Sequence, residues 1–146
     1  MQPTASPALL TLVLLVLPLA PATGADWFAP YAWQNRHILV FAPARDDPRF
    51  QALRREMRLL EDAVIERKLL LWELVGEQTV RINGHETDVD EEALRARFRV
   101  PPGRFLVILV GYDGAEKLRQ DTVDLGQIFG AVDRMPLRRL EMGVAD

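Results

Sequence analysis

Two carboxylates stand side by side at Asp46 and Asp47, between the apolar run Ile38–Ala42 and the pair Pro48-Arg49. Such a pair can act as a general base, attract a cation or a basic peptide, or cap a helix. Asp47 followed by proline reads as a helix start, because Asp is a preferred N-cap and proline suits the first helical position. That leaves Asp46 as the more available carboxylate, with Arg49 one turn away. The chain has no cysteine, so it has no thiolate for disulfide exchange or peroxide reduction. Its two histidines, His37 and His85, lie far apart and lack a second histidine at ligand spacing, so no metal centre is expected. No local motif supports a Ser-His-Asp triad. Gly111-Tyr112-Asp113-Gly114 reads as a turn with no helix directly after it, which excludes a phosphate loop. The pattern implies no cofactor.

Cations offer a second kind of chemistry. Arg104 follows the stiff break Val100-Pro101-Pro102-Gly103, and Arg134, Arg138 and Arg139 gather near the C-terminus. Arg138 and Arg139 are weaker candidates for contact with an acidic partner, since cations there also complement a helix end. The formal net charge of −3 excludes nucleic-acid binding by bulk attraction. A hydrophobic content of 49% with 27% charged residues fits a globular domain.

Residues 1–25 carry no charged side chain, and Leu9 to Leu17 is almost wholly apolar before Pro18 and Pro21 interrupt it. Small residues at Thr23-Gly24-Ala25 fit a signal-peptidase site, so the expected cut lies between Ala25 and Asp26. The n-region lacks Lys and Arg. A bilayer-spanning helix needs about 20 apolar residues, more than this run offers, so no stable membrane span is expected after cleavage. Residues 26–146 should then form one exported domain, periplasmic or extracellular, with its core at about 33–136 and no disulfide to staple it.

The elements that must position these side chains follow from periodicity. Ile38–Ala42 suits a strand covered on both faces, and Pro43 should end its pairing. Phe50, Leu53, Met57, Leu60 and Val64 recur at helical spacing and predict one helix of about five turns. Leu69–Val75 is a second strand, parallel to the first if the helix crosses over. Asn83-Gly84 predicts a type I′ hairpin with Arg81 opposite Glu86. A short helix should begin at Asp88 and bury Leu94 and Phe98. Phe105–Val110 is another buried strand, followed by a charged edge strand at 115–119. Asp124 with Gln127 caps a last helix, which Met135-Pro136 should end, leaving Leu137–Met142 as a tail. Trp27, Phe28 and Trp33 should pack on the domain.

The order β-α-β, inserted hairpin, α, β-β-α is the plan of a thioredoxin-like α/β three-layer sandwich. Its core would be a mixed four-stranded sheet, with 37–43 central, 69–75 and 105–111 flanking it, and 115–119 at the edge. In that frame Asp46 and Arg49 occupy the positions of the two redox cysteines, and Leu106 occupies that of the usual cis-proline.

The segments Trp33-Gln34-Asn35-Arg36, Val40-Phe41-Ala42-Pro43, Gly111–Arg119 and Asp133–Arg139 resemble the P-DUDES family, domain of unknown function 4174. The resemblance runs from about Trp33 to Met142. It implies a thioredoxin-like fold in exported or extracellular proteins, and it carries no catalytic residues with it.

Two functions fit these residues. One is a non-catalytic binding or scaffold module for a protein or extracellular ligand, using the rim Asp46, Asp47, Arg49 and Arg104. The other is a non-redox enzyme using the carboxylates near Asp46 and Asp47. Export is testable directly: intact-mass measurement of protein made in its own host should show Asp26 as the first residue. A stable envelope product that still begins at Met1 would contradict the cleavage.

Overall fold

The computed structural model describes residues 26–76 and 79–143. The leader expected over residues 1–25 and the cut expected before Asp26 lie outside the described residues, except for Asp26 itself. The strand β1 (Arg36–Ala42) lies at the heart of the molecule, and all seven of its residues are buried. It pairs in parallel with β2 (Leu69–Val75) on one side and antiparallel with β5 (Leu106–Val110) on the other. The run Ile38–Ala42 has no polar side chain, as a strand packed on both faces requires.

Alternation along β1 divides the core in two. Ile38, Val40 and Ala42 face the helices α1 (Pro48–Leu59), α2 (Glu61–Glu66) and α4 (Leu125–Asp133), which present Phe50, Leu53, Val64, Ile128 and Val132. Leu39 and Phe41 face the opposite layer, where α3 (Glu91–Phe98) supplies Leu94 and Phe98 and the N-terminal segment supplies Phe28. Over the described residues the result is a mixed α/β structure with a six-stranded mixed sheet and five α-helices, the last being α5 (Pro136–Glu141).

The strand order is β4-β3-β2-β1-β5-β6, where β3 is Arg81–Ile82, β4 is His85–Glu86 and β6 is Glu116–Gln120. The expected order of four core strands is present within it, but the sheet does not stop at four. The hairpin is no separate insertion, because it extends the sheet beyond β2. Trp72 pairs with Ile82, and the Asn83 side-chain oxygen accepts from the Leu71 N–H at 2.8 Å. Asn83 and Gly84 both have positive φ, at 48° and 84°, as a type I′ turn requires. Arg81 stands opposite Glu86, as its turn length dictates, and their side chains pair at 2.5 Å.

Four other expectations need correction. The long helix breaks at Leu60, where φ −110° and ψ 28° leave the helical region. The offset rephases the apolar stripe, so Val64 reaches the core while Leu60 stays 43% exposed. The cap of α3 is Asp90 rather than Asp88, with the Asp90 carboxylate accepting from the Ala93 N–H at 3.0 Å. The expected tail is the helix α5, because Pro136 takes the first helical position instead of acting as a stop. Of the N-terminal aromatics, Phe28 is buried, but Trp33 is 67% exposed.

His37 sits in the second half of the core, 1% exposed, against Phe28 and edge-on to Trp72. Its Nδ1 accepts from the Trp72 indole N–H at 3.0 Å. Burial lowers its pKa from 6.5 to about 4. The unfolded chain therefore binds a proton between those values and the folded chain does not. Stability should be intact above about pH 6.5 and should fall by about 3 kcal/mol on acidification toward pH 4. Urea midpoints across this window should drop steeply for wild type and less for His37→Asn, which keeps an acceptor for Trp72 without titrating. Equal slopes for the two proteins would contradict the assignment.

Candidate functional site

The rim foreseen from sequence forms at the carboxyl end of β1. Phe41 pairs with Leu106, so the loop after β1 and the loop before β5 emerge together. Asp47 is the N-cap of α1, its side chain 7% exposed, and accepts from the Arg49 N–H at 2.9 Å. The Arg49 guanidinium closes on the same carboxylate through Nε at 3.1 Å and Nη2 at 2.7 Å, and lies over the Phe105 ring. The Arg49 side-chain hydrogen bonds, ahead of the backbone one, hold Asp47 below the usual carboxylate range despite its burial. A carboxylate so held is a poor base and a good structural cap. Asp46 and Arg104 are exposed on the two neighbouring loops.

Beside this rim lies a groove of about 560 Å³, lined by Pro43, Gly76, Glu91, Glu92, Arg95 and the Pro102-Gly103 turn. Gly76 has φ +61°, and a Cβ there would lie 3.2 Å from the Pro43 carbonyl oxygen, so the groove floor requires glycine. Glu91 pairs with Arg95 at 2.6 Å, and Arg95 also lies over Phe41. Glu92 is exposed. Open α/β sheets hold ligands at the carboxyl ends of their parallel strands, and β1 and β2 both end here. Sequence reasoning found the two loops but missed Glu92 and Arg95. Glu92 stands in the first turn of α3 and Arg95 in its last, where each also complements the helix dipole.

The opposite end of the sheet is ionic and closed. Arg36 starts β1 with 0% exposure. Its Nη1 donates to the Arg67 carbonyl at 3.0 Å, to the Tyr112 hydroxyl at 3.0 Å and to Glu141 at 3.2 Å. The guanidinium also stacks 3.9 Å from the Tyr112 ring centroid. Tyr112 in turn donates to Glu141, and burial, together with that bond, pushes its pKa up to about 12. Although burial opposes ionisation, Tyr112 and Arg36 keep Glu141 below its ordinary value. Among the expected docking cations, Arg138 is the clearest correction. It is 3% exposed and bound to Glu66 at 2.6 Å and Asp133 at 3.3 Å, so it cannot serve a partner. Arg139 is half-buried and engaged. Three of the segments that carry the resemblance, 33–36, 111–119 and 133–139, meet at this end.

Among the described residues, no cluster of three or more His, Asp or Glu side chains could hold a metal ion. No helix there is long and apolar enough to cross a membrane. A family model described as "Domain of unknown function (DUF4174)" matches residues 28–141. No curated protein and no solved structure matches the chain.

Proposed function

The chain belongs to the DUF4174 family, and from that premise we propose that it is a non-catalytic binding module of thioredoxin-like plan. It works outside the cytoplasm and takes an extended protein segment at the carboxyl end of β1. The observation that carries this reading is the groove of about 560 Å³ between Pro43, Gly76, α3 and the Pro102-Gly103 turn, next to the loops that carry Asp46 and Arg104. Backbone groups at Gly76 and Gly103 can serve an extended segment, while Glu92, Asp46 and Arg104 supply choice among side chains. The central order β2-β1-β5-β6 supports the thioredoxin-like plan, with the hairpin as an addition at one edge. The uncharged leader supports export.

A non-redox enzyme built on Asp46 and Asp47 has less support. Asp47 is committed to the α1 cap and to Arg49, and Asp46 is exposed with no histidine or hydroxyl bonded to it among the described residues.

The test is a photo-crosslinking residue placed at Asp46 and, as a control, at Glu116 on the far edge strand, in protein exported by its own host. Adducts of discrete mass are expected from position 46 and not from 116. Asp46→Lys with Arg104→Glu should remove binding of the captured segment while shifting the thermal midpoint by no more than about 2 °C, since exposed charges contribute little to stability. The same adducts from both positions, or capture that survives the double substitution, would put the binding face elsewhere.

A further inference from the structure

At the closed end of the sheet a second cavity, of about 190 Å³, opens beside Arg36. It lies at the opposite end of β1 from the groove and stands independently of it. Its walls are Trp33, Tyr112, Met135 and Leu137, with Gly111 and Lys117 along one side. Four observations converge there.

Arg36 lines the cavity, yet its Nε and Nη2 find no acceptor among the described residues. All three polar contacts of this guanidinium fall on Nη1. A buried donor without a partner costs free energy that a suitable acceptor would return. The local charge leans the same way. Ion pairs among the described residues link four cations, Arg36, Arg67, Lys68 and Arg138, to only three carboxylates, Glu66, Asp133 and Glu141. The linked set carries one surplus positive charge, with Arg36 and Arg138 buried and Lys68 and Glu66 open to solvent.

Trp33 is held at φ +61°, with its N–H bonded to the Tyr112 carbonyl, and is 67% exposed. A bulky residue in the left-handed region is strained, and such strain gathers at binding sites. Gly111 leaves room on this wall as the side chains stand, since a Cβ on it would come within 2.6 Å of Lys117 Cε and 3.0 Å of the Asp113 carboxylate and those two side chains would have to shift.

We propose that this cavity binds a small monocarboxylate with an apolar body about the size of one aromatic ring. The body would lie against Trp33, Met135 and Leu137. The carboxylate would accept from the Arg36 edge that lacks a partner, after a small side-chain adjustment, while at the rim Lys117 is already paired with Asp113 at 2.8 Å, so Arg36 carries the recognition. A carboxylate suits a guanidinium edge better than a neutral acceptor does, because both hydrogen bonds are then charge-assisted. Glu141 already holds part of Arg36, so it competes with the ligand.

The experiment is calorimetric titration of the full chain with phenylacetate, phenylacetamide and phenethylamine, which share one ring and differ in charge. Phenylacetate should saturate the protein below about 10 mM and bind at least about tenfold more tightly than the other two. Glu141→Gln should tighten phenylacetate by severalfold and leave phenylacetamide unchanged, a response that a merely structural carboxylate would not give. Trp33→Gly relieves the strained backbone, so it should keep or raise the thermal midpoint while abolishing binding. The proposal is overturned if phenylacetate does not bind, if the amide or amine binds as well, or if folded Trp33→Gly binds like wild type. It is also overturned if folded Glu141→Gln leaves phenylacetate affinity unchanged.

Discussion

Burial of β1 on both faces is the constraint from which the rest of the structure follows. Ile38 to Ala42 are each 0% exposed, and a strand sealed in this way must have a partner on each edge and a layer on each face. The parallel neighbour β2 needs a crossover, which α1 and α2 provide on one face. The antiparallel neighbour β5 brings its preceding loop to the place where β1 ends. Helices then segregate by the parity of β1: even-numbered residues meet α1, α2 and α4, and odd-numbered ones meet α3 and Phe28.

The two ends of that strand have opposite characters, for reasons that also start from β1. At its carboxyl end Pro43 cannot continue the ladder, so the chain turns outward and leaves a groove between loops and α3. At its amino end Arg36 enters the sheet with its charge, and the charge has to be matched where water is scarce. Tyr112 and Glu141 are drawn onto it. That demand explains α5, which docks through Arg138 and Glu141 while Leu140 stays 68% exposed. Its one buried residue is Arg138, while Leu137 and Leu140 are exposed, unlike an ordinary surface helix that docks by an apolar stripe. Such a network adds little net stability over an apolar core, but loss of a partner that faces a buried cation such as Arg36 costs about 3–5 kcal/mol, because the charge is left unmatched.

The features legible in the sequence were those written in local pattern. Unbroken apolar runs marked β1 and β5, Asp47-Pro48 and Asp124 marked helix starts, and Asn83-Gly84 fixed the hairpin register. The rim loops were placed at one end because the directions of β1 and β5 followed from the order of elements. Less legible was anything that depended on partners distant in sequence. Asn83 reaches back to Leu71, a contact that turns an inserted hairpin into two more strands. Leu60 matched the helical stripe by spacing, and only packing shows that it must step aside for Val64. The ionic end joins residues 36, 66, 112, 133, 138 and 141, so Arg138 looked like a surface cation when read alone. The one available signal was a charge, Arg36, at the head of a strand that is apolar from Ile38 onward.

The dependence of the whole on β1 can be measured by native-state amide hydrogen exchange, followed residue by residue as denaturant is raised. The expected result is that Leu39, Val40 and Phe41 exchange only through global unfolding, with a free energy equal to the equilibrium stability. The loops at 43–47 and 101–104 should open far more easily. If the β1 amides instead exchange through small local openings, as fast as those of the edge strand β6, then β1 is not the element on which the rest is built.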